Sequence, residues 1–226
     1  MALGVPPLAA NATSTVALWP GAFSSFWGYR AELRGAKPWL VRLVVPSLVG
    51  GLVGALLLLH TPAARFAALA PWLVLGATVL FLAQRPLLEA LRRRRGEAPS
   101  ATGEVPLPPA ALLVWQLAVA IYGGYFGAGI GILMLAGFGI LGLTNIHRMN
   151  GLKAVGGLAI NVVAAATFAT SDLVDWRLAG VMAVGALAGG YVGARLAQRV
   201  SQARVRQAIG AIGLGASAWL LWQQLS

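Results

Sequence analysis

Long apolar runs separated by short charged clusters organise the whole chain. Runs of about 20 residues, enough to cross the ~30 Å hydrocarbon of a bilayer, occupy 8–29, 38–59, 65–91, 146–170, 176–198 and 203–224. Each predicts a membrane-spanning helix. A longer run, 110–143, would measure about 50 Å as one helix at ~1.5 Å per residue, too long for one straight crossing. Inside it, 122–133 reads Tyr-Gly-Gly-Tyr-Phe-Gly-Ala-Gly-Ile-Gly-Ile-Leu, with glycine at Gly123, Gly124, Gly127, Gly129 and Gly131. Each glycine weakens a helix by about 1 kcal/mol relative to alanine. At membrane depth no water satisfies loosened backbone groups, so broken helices are tolerated only against protein or a wet cavity. In transporters such breaks bind substrate. The pattern therefore predicts a glycine-broken or re-entrant segment over 110–143. The bland alternative is that Gly123, Gly127 and Gly131 form a small-residue stripe that only packs helices closely.

Composition agrees with a bilayer setting. Charged residues make up 10% of the chain, against roughly 25% in soluble domains. The 17 Lys and Arg outnumber the 6 Asp and Glu by eleven. They cluster between apolar runs, which is the positive-inside pattern and excludes nucleic acid as a partner. Zero cysteines exclude disulfides and thiolate metal sites. His60 and His147 are too isolated to bind metal. Glu32, Glu97, Glu104, Asp172 and Asp175 fall in loops or linkers, and Glu89 at the end of a run. Cation pumps and proton relays depend on carboxylates inside the membrane, so that chemistry is not expected. With no acid/base pair and no nucleophile set, the chain is not read as an enzyme; it has no catalytic or metal-binding residues and no cofactor. The first twenty residues lack a basic n-region, so no cleaved signal peptide is expected. The expected location is a bacterial inner membrane, multi-pass, with the lipid bilayer as partner and a homo-oligomer left open. Trp19, Trp39, Trp72, Trp115, Trp176, Trp219 and Trp222 lie mostly near run ends, where interfacial anchoring is expected.

Shifted by 139 positions, the chain matches itself. Ser47–Leu57 falls on Ala186–Leu196 with seven of eleven identities, and Asn11, Arg65, Gly76 and Gln84 fall on Asn150, Arg204, Gly215 and Gln223. The fold expected is thus an all-α integral membrane protein of two structural repeats. Residues 1–91 form the first, with three spans; 92–109, which opens with Arg92–Arg95, is a basic, proline-rich cytoplasmic linker; 110–226 form the second, with the broken segment and three spans. If 110–143 enters and leaves on one side, every strongly basic loop is cytoplasmic and the repeats are inverted. The stripes Gly50/Gly54 and Gly189/Gly193 read as helix packing.

Gly123–Gly131, followed by Asn145-Ile-His-Arg-Met-Asn-Gly-Leu-Lys153, resembles the second half of the TauE/SafE family of membrane transporters. Asn11-Ala-Thr-Ser-Thr15 and Asp175-Trp-Arg177 are similar to further pieces of its pattern. The resemblance covers essentially the whole chain. It implies export of sulfite, sulfoacetate or a related organosulfonate by a secondary carrier. The family carries a glycine-rich segment in each half. Here the counterpart of Gly123 falls before Met1, so the expectation is that Met1 is an internal methionine of a longer protein.

The candidate substrate site joins these strands. Helix termini at a glycine break present N–H groups to anions. Arg148 and Lys153 add charge, and Asn150 and Asn161 add hydrogen bonds. Asn11, Thr13, Ser14 and Thr15 occupy the equivalent place in the first half. With Gly123, Gly124, Gly127, Gly129 and Gly131 they complete the expected anion site. Bland readings stand beside these: Arg148 as a topology charge, Lys153 as a snorkelling lysine, Asn11 and Asn150 as helix caps, and Arg92–Arg95 as a solvated anchor touching anionic lipid. Two rivals to the carrier are kept: a non-transporting fragment that needs a partner and, least favoured, a membrane-embedded enzyme.

Overall fold

The computed structural model describes residues 5–33, 36–95, 110–140, 143, 146–186 and 202–225. Among them every regular element is helical. In chain order they are α1 (Pro7–Tyr29), α2 (Lys37–Leu59), α3 (Ala63–Arg95), α4 (Ala110–Tyr125), α5 (Ile130–Ile140), α6 (Ile146–Ala169), α7 (Trp176–Ala186) and α8 (Gln202–Leu225). A 3-10 turn, Arg30–Leu33, follows α1. Prolines in the first turns of α1 and α2 begin those helices, where a missing N–H costs nothing. Pro38–Leu59, Ala63–Ala83 and Arg148–Ala169 are long and apolar enough to cross a membrane.

Two features depart from the sequence reading. α3 runs through Arg92–Arg95, which the apolar pattern had assigned to the linker. Arginine is a good helix former, and the next proline is Pro99. The other is Trp39, which is only 3% exposed and belongs to the core, not to an interfacial belt. The matched stretch 187–196, with Gly189 and Gly193, lies outside the described residues.

Two apolar clusters mark the two ends of the bundle. The first joins Leu33, Trp39 and Leu43 with Leu112 of α4, Met134 and Phe138 of α5, and Met149 and Leu152 of α6. The second joins Leu8 and Ala12 with Leu58, Phe66, Ala164 and Phe168. α4 therefore starts, and α5 finishes, at the same end, while Tyr125 and Phe126 at the turn between them pack against the second cluster. α5 folds back along α4: the Trp115 indole N–H donates to the Leu133 carbonyl at 3.0 Å, and Gly137 lies against its ring. At ~1.5 Å per residue the two helices measure about 24 and 16 Å, both short of a full crossing.

Glycine sets how closely α2, α4 and α6 approach. A Cβ on Gly54 would overlap the Ile121 carbonyl of α4, and one on Gly124 would overlap Gly51. On its other side, a Cβ on Gly51 would sit 3.1 Å from the Ile160 Cα of α6. The Gly50/Gly54 stripe is thus a packing surface. α3 pairs with α8 in the same way, Gly213 receiving Thr78. Buried hydroxyls bond to carbonyls one turn back, as Ser47 to Leu43 at 2.7 Å and Thr78 to Val74 at 2.8 Å, the usual resolution in apolar helices. Gln116, 1% exposed, donates to Ser47 Oγ at 2.9 Å and ties α4 to α2.

Gly54→Ala should lower thermal stability in detergent by about 1–3 kcal/mol, the usual cost of overpacking. Gly76→Ala on α3, where no atom lies within 4 Å of the new Cβ, should raise it by about 0.5–1 kcal/mol through helix propensity. Equal shifts in melting temperature for the two variants would contradict the close approach of α2 to α4.

Candidate functional site

The break between α4 and α5 rests on two glycines. Gly127 and Gly129 have φ of +84° and +81°, a left-handed backbone that costs other residues roughly 1–2 kcal/mol. The N–H groups of Phe126 and Gly127 both reach the Tyr122 carbonyl, at 2.9 and 3.4 Å, and end α4. Three residues later the Gly129 carbonyl accepts from Ile132 and Leu133, at 3.0 and 3.3 Å, and starts α5. The N–H groups of Ile130 and Gly131 are therefore the first of α5.

Side chains supply what the broken backbone lacks. The Asn11 amide of α1 donates to the Tyr125 carbonyl at the end of α4, at 3.1 Å. The Tyr122 hydroxyl donates to the Ala128 carbonyl between the two left-handed glycines, at 2.8 Å. Tyr122 was missed in the sequence, although it borders the glycine cluster. Tyr125 also packs edge-on against Phe66 of α3, with ring centroids 5.8 Å apart.

A cavity of about 170 Å³ opens at the start of α5, lined by Ile130, Gly131 and Met134 of α5, Lys153, Gly157 and Asn161 of α6, and Ala22 of α1 among others. Gly131 makes room for Lys153: a Cβ there would lie 3.2 Å from Lys153 Cδ. The Asn161 amide donates to the Gly157 carbonyl one turn back at 2.7 Å. An amide nitrogen carries two hydrogens, so one remains for a ligand at the cavity wall. The cavity is thus lined by a lysine, an asparagine and the first turn of α5, groups that can favour negative charge.

The expected site residues separate into groups. Gly131, Lys153 and Asn161 meet at the cavity. Gly127 and Gly129 shape the break beside it. Gly123 and Gly124 are packing positions on α4, against Ile130 and Ile160 and against Gly51. Arg148 and Asn150 lie in the first turns of α6, outside the cavity lining. Asn11 does not cap its own helix, which begins at Pro7; it caps α4. Thr13, 1% exposed, accepts from the Asp175 N–H at 3.1 Å. The Asp175 carboxylate in turn caps α7 by accepting from Arg177 and Leu178 N–H, both at 3.0 Å. Ser14 and Thr15 donate to the Asn11 carbonyl, each at 2.9 Å. No cluster that could hold a metal exists among the described residues.

Asn11→Leu and Asn11→Asp both remove the donor to Tyr125. Each should cost about 1–3 kcal/mol, the penalty of a buried carbonyl left without a partner, seen as a lower melting temperature in detergent. If Asn11→Asp melts like the parent, the bond to Tyr125 does not hold the break.

No curated protein and no solved structure matches the chain. The family model described as Sulfite exporter TauE/SafE matches residues 1–220. Nearly the whole chain is covered, and it belongs to the TauE/SafE family of multi-pass membrane anion exporters, which are transporters and not enzymes.

Proposed function

We propose that the chain is a secondary carrier that exports a small organosulfur or sulfur oxyanion, of the kind of sulfite, sulfoacetate or another organosulfonate, across a bacterial inner membrane. The observation that carries this reading is the cavity at the start of α5, walled by Lys153 and Asn161. Its volume is about 170 Å³. That suits a small anion and lies below the ~300–1,000 Å³ of sites for drug-sized ligands. Lys153 neutralises the cargo, Asn161 and the first N–H groups of α5 orient it, and Gly127 and Gly129 aim those groups. The other expected site residues act at one remove, by holding the break and the packing of α4.

Two repeats, 1–91 and 110–226 joined by 92–109, run in opposite senses. The hairpin geometry of α4 and α5 supports this, because its two ends share the bundle end that carries the turn Arg30–Leu33 and the start of α6. That end is cytoplasmic by the positive-inside rule. Alternating access around the break moves the cargo.

Purified protein in liposomes should release labelled sulfite in a saturable way, and sulfoacetate or another organosulfonate should compete. Lys153→Ala should slow release at least tenfold, with the melting temperature of the protein retained. Undiminished release by Lys153→Ala would remove Lys153 from the site. The chain contains no cysteine, so orientation is testable directly. Thr61→Cys and Ser171→Cys should react with an impermeant thiol reagent added outside intact cells, and Arg30→Cys only after lysis. The reverse pattern would invert the proposed orientation.

A further inference from the structure

The charge inventory around the cavity has a bearing on how transport responds to membrane potential. Among the described residues, Lys153 is the one charged residue in the lining. Among acids whose side chains are described, Asp172 and Asp175 are exposed beyond the far end of α6, at least ~24 Å along the helix from Lys153 at 1.5 Å per residue. Arg148 lies toward the other end, about 7 Å earlier on α6, and is not in the lining. Neither of these two carboxylates therefore offsets the Lys153 ammonium within the cavity.

From this we propose that the cargo is a monoanion and that Lys153 is the carrier's gating charge. The proposal rests on the carrier reading above. In alternating access the membrane field falls across whichever side of the site is closed. Switching access therefore does electrical work proportional to the net charge in the site. With a monoanion against Lys153 that charge is zero, and the loaded carrier turns over without regard to voltage. Empty, the site holds one positive charge. An inside-negative potential draws it to face inward, ready for the next cargo. Voltage thus acts on the return of the empty carrier and drives net export. A full unit charge across 100 mV changes an equilibrium by roughly fiftyfold, which is the ceiling for the effect. A dianion would leave the loaded site negative and make the outward step itself voltage-dependent.

The test compares two modes of flux in liposomes containing the full chain, with labelled sulfite at mildly acidic pH, where it is chiefly the monoanion bisulfite. Net release into sulfite-free medium should accelerate several-fold when an inside-negative potential is imposed. Exchange of internal for external bisulfite, which needs only the loaded carrier, should stay within about twofold at every potential. Lys153→Arg should preserve this split. Lys153→Gln should make exchange voltage-dependent, because its loaded site carries net negative charge. Wild-type exchange as voltage-sensitive as net release, or net release indifferent to voltage, would overturn the assignment while leaving the carrier intact. Absence of both fluxes in folded protein would overturn the carrier reading, and the assignment with it. The wild-type comparison decides the matter even where Lys153→Gln fails to fold.

Discussion

A helix interrupted inside a bilayer must find partners for its own backbone, because the surroundings offer none. Much of this structure follows from that constraint. The turn at 126–129 frees carbonyls that a continuous helix would have used. Asn11 reaches across from another helix to one of them, Tyr125, and Tyr122 turns back to another, Ala128. The apolar helices obey the same rule on a smaller scale, the hydroxyls of Ser47, Thr78 and Ser217 each donating to a carbonyl on the turn below. The first residues of α5, Ile130 and Gly131, line a small cavity.

Position matters as much as satisfaction. Because Gly51 has α4 on one side and α6 on the other, the break and Lys153 are fixed relative to one another by backbone contact. Side-chain rearrangement does little to alter that spacing. The turn meets α3 differently: a Cβ added at Gly129 would lie only at ordinary van der Waals distance from Leu80 and Ala77. The seam between the turn and the α3–α8 pair is accordingly the softer boundary of the site.

The helices were legible because their signal is length and apolarity, which neighbours do not alter. Predicted starts and ends fall within a few residues of α1, α2, α6 and α8. α3 runs four arginines past its predicted end, since apolarity marks the membrane slab and arginine continues a helix beyond it. The glycine cluster revealed that the segment breaks. It did not reveal which glycines bend and which pack. That distinction depends on what lies opposite, and Gly124 is a packing residue only because Gly51 faces it. For the same reason Asn11 was recognisable as significant but not as a brace for a helix more than a hundred residues away. Gly131, Lys153 and Asn161 were all expected in one site from the sequence, but so were Arg148 and Asn150, and only the fold separates residues that line the cavity from those that do not.

The shortness of α4 and α5 also bears on how the protein is made. α2 and α3 have the length and apolarity to settle in the membrane as they emerge. The two half-length helices do not, and the surface that receives them is shared between α2 and α3, already in place, and α6, not yet synthesised. At roughly 5–20 residues per second, α6 follows on the order of seconds later. During that interval the hairpin has one wall and lacks the other. Biogenesis therefore passes through a state that is membrane-inserted but incomplete at its centre. It is the arrival of the helix bearing Lys153 that supplies the missing wall of the hairpin.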